Sequence, residues 1–207
     1  MRLLISYRIL LNHFFAGFFV KLITGFDDTL THVPLITYLT KTRKGKVAFG
    51  IGIFLAICLA IVIAVFFSSL IKSIPYYRYV LGGLIFVLAF VIYFDVFRKD
   101  RVKETEDKMK KVQKIKPISN KRFLKLIAVG FVAAFATLLD DIIAYSSILL
   151  EQGGQMISGI GGILVAGVFE ISIIVFFSKK LAKFEWRKEI ASVGLLILGV
   201  LVMRGII

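Results

Sequence analysis

Two acidic pairs, Asp27-Asp28 and Asp140-Asp141, lie inside apolar stretches of the chain, each three residues after a threonine, Thr24 or Thr137. A fifth acid, Glu170, lies in another apolar stretch. A carboxylate at the centre of a membrane helix costs about 2.5–3.5 kcal/mol even on the lenient scale, and such groups repel one another. They must be protonated, paired with cations, or exposed to a water-filled cavity. Apart from Lys125 at one end, Lys21 and His32 are the only basic side chains inside the two stretches that carry the pairs, too few to neutralise five acids. On a helix Thr24, Asp28 and His32 are four apart, as are Asp27 and Thr31, so one face carries carboxylates, hydroxyls and an imidazole. Thr137, Asp140, Asp141 and Tyr145 take the matching positions further on, with Ser146 and Ser147 nearby. Pro34 leaves the Leu30 carbonyl without its helical donor, which predicts a break that frees backbone oxygen for an ion. An oxygen-rich set without a Met or Cys cluster suits Ca²⁺, Mg²⁺ or Mn²⁺, and gives Zn²⁺ or Cd²⁺ less support.

Each of these residues also has a plainer use. The aspartates can serve as interhelical hydrogen-bond partners in a structural core. Glu170 can pair with Lys21 or a hydroxyl, Lys21 can snorkel to the outer surface, and His32 can pack as a core imidazole. Thr24 and Thr137 can bond back to carbonyls of their own helices. The lone Cys58 forms no internal disulfide and belongs to no C-x-x-C motif, so it reads as a small packing residue.

The elements that must position these groups follow from composition. The chain has 207 residues, 58% of them apolar and only 19% charged, with a mean hydropathy of +0.89. A soluble domain runs about 45–50% apolar, so neither a soluble globule nor a disordered chain fits. Six stretches approach the roughly 20 apolar residues a membrane helix needs: about 14–40, 47–71, 76–97, 123–150, 156–178 and 190–207. Segment 98–122 is too basic to span and reads as a solvated linker, either a cytoplasmic anchor or a contact for anionic lipid. The net charge of +14 is unevenly placed. With six spans, 21 of the 27 basic residues fall on one side and five on the other. The positive-inside rule puts the 21 in the cytoplasm of a plasma (inner) membrane, with both termini outside. The charge thus needs no nucleic acid to explain it. The N-terminal run Met1-Arg2-Leu3-Leu4 resembles a signal peptide, but cleavage near Ala16-Gly17 would cut into an internal repeat.

That repeat relates the two halves. Gly17-Phe18, Thr24 and Asp27-Asp28 match Gly130-Phe131, Thr137 and Asp140-Asp141 at an offset of 113. Gly52-Ile53, Ala56 and Val65-Phe66-Phe67-Ser68 match Gly162-Ile163, Ala166 and Val175-Phe176-Phe177-Ser178 at an offset of 110. Three spans per copy is an odd number, so the copies insert with opposite orientation. That is the plan of secondary transporters with a substrate site at the repeat interface. The expected fold is therefore all-α and integral to the membrane: residues 1–97 as one three-helix repeat, 98–122 as the linker, and 123–207 as the second, inverted repeat. Small residues recur every fourth position at Ala48, Gly52, Ala56, Ala60, Ala64 and Ser68, and again at Ser158, Gly162 and Ala166, where Glu170 continues the row. Such faces let helices approach closely, and Glu170 falls where the first copy has Ala60.

Two three-span copies, each with an acidic signature in its first span, resemble the lysine-exporter (LysE-type) superfamily. Within it, the T-x-x-D-D form is most similar to the cadmium-resistance and TerC-type members. Phe26 and Leu139 stand where the cadmium-type signature has an Asn, and both copies have Asp-Asp where the TerC-type has Asp-Asn. The resemblance implies transport, usually export, of a divalent cation, often exchanged for protons or sodium. It maps onto Asp27, Asp28, Asp140 and Asp141, with Thr24 and Thr137.

The sequence therefore predicts a secondary transporter of a divalent cation. Its site would be the four aspartates and two threonines, with Glu170, His32, Lys21 and Tyr145 in coupling or supporting positions. No cofactor is expected beyond the transported ion. The expected partners are the bilayer and that ion, with no nucleic acid, and a homo-oligomer is compatible. An amino-acid exporter would use the aspartates for the substrate ammonium and Lys21 for its carboxylate. A cation-selective channel would use the acids as a ring. No nucleophile–base pair, phosphate loop or H-E-x-x-H occurs, so enzyme activity is not expected.

Overall fold

The computed structural model describes residues 2–40, 42–94, 119–135, 137–150, 153–181 and 187–206. The described chain is all helical. Its elements are α1 (Arg2–Leu39), α2 (Arg43–Lys72), α3 (Tyr77–Phe94), α4 (Asn120–Phe135), α5 (Leu138–Ile148), α6 (Gly154–Leu181) and α7 (Arg187–Met203). Among the described residues four stretches are long and apolar enough to cross a membrane: Arg8–Phe26 within α1, α2, α3, and Gly154–Phe177 within α6. The bent pair α4–α5 makes a fifth if it is taken as one span. The chain thus has the helices of an integral membrane protein. The expected sixth span, α7, contributes a shorter apolar helix, Glu189–Met203. Most of the expected linker lies outside the described residues, and α4 already begins at its end, at Asn120.

The helices are laid out as their sequences dictate. The Thr42 side chain caps α2 by accepting from the Gly45 N–H at 3.2 Å. Along α2 the small residues Ala48, Gly52, Ala56, Ala60, Ala64 and Ser68 are all buried. The large residues Val47, Leu55, Val62 and Phe66 face outwards. This is the reverse of a soluble helix. Lipid is as apolar as leucine, so helices gain by bringing small faces together and leaving bulk outside.

The strongest pairings are α1 with α6, α2 with α4, and α3 with α7. Glycines set the first two crossings. A Cβ on Gly17 would collide with the Gly159 carbonyl, and one on Gly130 with the Phe49 carbonyl. Gly162 lies against the Phe14 carbonyl and Phe18 nitrogen, as Gly52 lies against the Ile127 carbonyl and Phe131 nitrogen. Under the sequence offsets of 113 and 110, each of these glycine contacts at the α1–α6 crossing has its counterpart at the α2–α4 crossing.

One local expectation is overturned. α1 runs as one 38-residue helix through position 34, so Pro34 does not break it. The interruption falls in the second copy, where no proline stands: α4 ends at Phe135, α5 starts at Leu138, and their axes differ by 67°. A proline removes one donor but does not compel a chain end where packing on neighbouring helices holds the segment. α1 packs most extensively against α6 and also touches α4, α5 and α7.

The crossings yield a direct prediction. Gly17→Val and Gly130→Val each force a side chain onto backbone that cannot yield, and each should cost about 3 kcal/mol. Gly83 has open space around its missing Cβ, so Gly83→Ala should stabilise by up to about 1 kcal/mol through helix propensity. Unfolding of the detergent-solubilised variants checks both signs.

Candidate functional site: a buried lysine among three carboxylates

Lys21 lies on α1 and is completely buried. Its Nζ is 3.2 Å from Asp28 Oδ2 on the same helix, 3.5 Å from Asp141 Oδ2 on α5, and 3.0 Å from Glu170 Oε2 on α6. Three helices thus converge on one ammonium. Asp28, Asp141 and Glu170 are each about 5% exposed, so water screens the cluster little and the charges act at close to their interior strength.

The local sequence explains each position. Lys21 and Asp28 are seven apart, two helical turns, which stacks them on one face of α1. Thr24 lies between them and donates from its hydroxyl to the Lys21 carbonyl at 3.3 Å. The hydroxyls of Thr24 and Tyr145 face the Asp141 carboxylate. Asp140 and Asp141 occupy the first turn of α5. There the unsatisfied N–H groups and the helix dipole favour negative charge. Asp28 sits mid-helix without that help, and Lys21 supplies its positive partner.

Glu170 reaches the cluster because α1 has no side chain at position 25. A Cβ on Gly25 would lie 2.6 Å from Glu170 Oε2 and 2.7 Å from its Cδ. Sequence reasoning missed Gly25. The available signal was a glycine inside a helix, which costs about 1 kcal/mol relative to alanine and calls for a packing reason.

Several polar atoms in the cluster make no hydrogen bond of ordinary geometry among the described residues: Asp28 Oδ1, Asp141 Oδ1, Glu170 Oε1 and the Tyr145 hydroxyl. Tyr145 is wholly buried with that hydroxyl. Three carboxylates against one ammonium also leave negative charge in excess. Acceptor oxygens and a hydroxyl without well-formed hydrogen bonds, beside more carboxylates than cations, are groups that a proton or a hard cation could satisfy.

The other expected site residues are placed differently. Thr137 and Asp140 are half-buried. Thr137 turns its hydroxyl back to the Ala134 carbonyl at 3.1 Å and gives α5 no side-chain cap. Asp140 is not among the acids on Lys21. His32, fully buried, has its ring edge-on to Phe49 of α2. The Asp27 side chain lies outside the described residues. The structure therefore brings together Lys21, Thr24, Asp28, Asp141, Tyr145 and Glu170. Lys21 does not snorkel to a surface.

The charge balance predicts strong coupling between Lys21 and Glu170. Lys21→Met strands carboxylates in the core and should cost about 3–5 kcal/mol. Adding Glu170→Gln to it should recover part of that loss. A double-mutant cycle on unfolding in detergent checks this, and additive losses would contradict it. No family model, no curated protein and no solved structure matches the chain.

Proposed function

We propose that the chain is a six-span secondary transporter that exchanges a divalent cation for protons at the cluster around Lys21. The observation that carries this reading is the convergence of Asp28, Asp141 and Glu170, from three helices, on a single buried ammonium, with acceptor oxygens left over. Excess negative charge inside a bilayer protein has to be balanced by something that arrives from solution. Protons and a divalent ion can each do so, and they compete for the same oxygens. Competition at one site is what exchange requires.

The proposed architecture is two inverted three-helix copies. It draws support from the paired glycine crossings and from the α1–α6 and α2–α4 pairings, which exchange under the sequence offsets. The copies differ in shape. α1 is continuous, whereas the second copy is interrupted between Phe135 and Leu138, positions equivalent to Leu22 and Gly25. Inverted copies held in different shapes favour access from one side, and exchange of the shapes would open the other. In this reading the 21 basic residues face the cytoplasm, both termini face out, and the ion is exported, the usual direction in the superfamily the sequence resembles.

Amino-acid export gains nothing from this geometry. It would need Lys21 for the substrate's carboxylate, and three acids already hold that ammonium. An open cation channel is equally ill served by a lysine buried among its acids.

Fluxes in proteoliposomes test the proposal. With an inward Mn²⁺ gradient, the wild type should take up Mn²⁺ saturably and move protons the opposite way. Asp28→Asn and Asp141→Asn should each fall to the leak of protein-free liposomes. Wild-type flux in both variants would remove the cluster from the transport path. Gly25→Ala should cost about 1–3 kcal/mol, because its Cβ lands on the Glu170 carboxylate and forces it off its buried partner. It should also lower the flux, by displacing Glu170 from Lys21.

A further inference from the structure

The four charged groups of the cluster fall into two kinds. Asp28 and Asp141 are equivalents under the repeat offset of 113, so each copy contributes one. Lys21 and Glu170 have no charged equivalents: Ala134 stands at the position matching Lys21, and Ala60 at the position matching Glu170. Yet these two make the shortest ion pair in the cluster, 3.0 Å, while Lys21 stands 3.2 Å and 3.5 Å from the aspartates. Room for Glu170 is made by Gly25, whose own counterpart is Leu138. The Lys–Glu pair is thus an addition to a symmetric two-carboxylate site, with its space provided on one side only.

On the reading that the cluster carries a divalent cation, we propose that Lys21 is a tethered competitor for that cation. Its ammonium holds the Asp28–Asp141 pair when no cargo is bound, and withdraws to Glu170 alone when the cargo takes the aspartates. An ammonium at 3.2 Å and 3.5 Å from the two aspartates occupies the position a metal ion between them would need. The two cations cannot share it, since like charges at contact repel strongly in a site this dry. Glu170 gives the displaced ammonium a partner, so no unpaired charge is left in the core. Its return to the aspartates drives the cargo off. The free oxygens Asp28 Oδ1 and Asp141 Oδ1 and the buried Tyr145 hydroxyl, none with a hydrogen bond of ordinary geometry, are the groups a metal ion would meet beside the aspartate oxygens now on Lys21.

The proposal makes substitutions at the two partners act in opposite directions, which a purely structural role does not. Mn²⁺ binding is measured calorimetrically on the full chain in lipid nanodiscs, alongside Mn²⁺ flux in liposomes. Lys21→Met should bind Mn²⁺ about tenfold or more tightly and turn over more slowly, because nothing expels the ion. Glu170→Gln should bind about tenfold or more weakly, because the ammonium has no other partner and stays on the aspartates. Lys21→Met/Glu170→Gln keeps the net charge of the wild-type cluster despite the loss of Lys21, and it should also bind more tightly than the wild type. If the wild type binds Mn²⁺ and the lysine-free variants bind no more tightly, the competitor role is overturned while the transport reading stands. If neither the wild type nor the double variant binds Mn²⁺, Ca²⁺ or Mg²⁺, both are overturned. Binding by the double variant alone would support Lys21 as the competitor.

Discussion

An ammonium buried in a membrane protein is tolerable only if negative charge surrounds it, and carboxylates there are tolerable only if positive charge does. Lys21 meets that condition with its three acids, and the acids meet it only in part. Much of the surrounding structure follows from it. α1 must lie close enough to α6 for Glu170 to reach across, which the Gly17–Gly159 approach and the missing side chain at Gly25 allow. α5 must bring Asp141 to the same point from the other copy, and it does so by starting just before the acidic pair, so that its N-terminus faces charge of the right sign. The small-residue faces are the means, and the charge cluster is what they position.

The cluster is also where the copies stop resembling each other. Glycine crossings repeat under the sequence offsets, and so do Asp28 and Asp141. Lys21, Gly25 and Glu170 do not. A symmetric pair of carboxylates is enough to attract a divalent ion but offers no built-in means of letting it go. In the proposed exchange an internal cation with its own second partner would provide one. Tight binding and release would then depend on which carboxylates the ammonium faces, rather than on a change of ligand chemistry.

Much of this was legible in the sequence, for identifiable reasons. The doubled Thr-x-x-Asp-Asp motif marked Asp28 and Asp141, because charges in oil are rare enough to stand out. Glu170 stood out by interrupting a row of small residues, and pairing with Lys21 was one of its two foreseen uses. That Lys21 would be the hub was not legible, because a lysine near a helix end can equally snorkel, and only tertiary packing decides. The helix interruption was placed at Pro34 and occurs instead before Thr137. Proline chemistry is local and marks only one kind of break; α4 and α5, on either side of this one, both pack against α2. Thr137 matches Thr24 by spacing, and each donates its hydroxyl to the carbonyl three residues earlier, Ala134 and Lys21. They differ in burial: Thr24 is buried beside the cluster, whereas Thr137 is half-buried.

In the proposed exchange one set of buried carboxylates takes up either protons or a divalent cation. The proton release that accompanies Mn²⁺ binding can be followed with a pH indicator in weakly buffered nanodiscs of the full chain. Mn²⁺ binding to the wild type should expel protons into solution, and Asp141→Asn should lose the signal. Mn²⁺ binding with no proton released would contradict it.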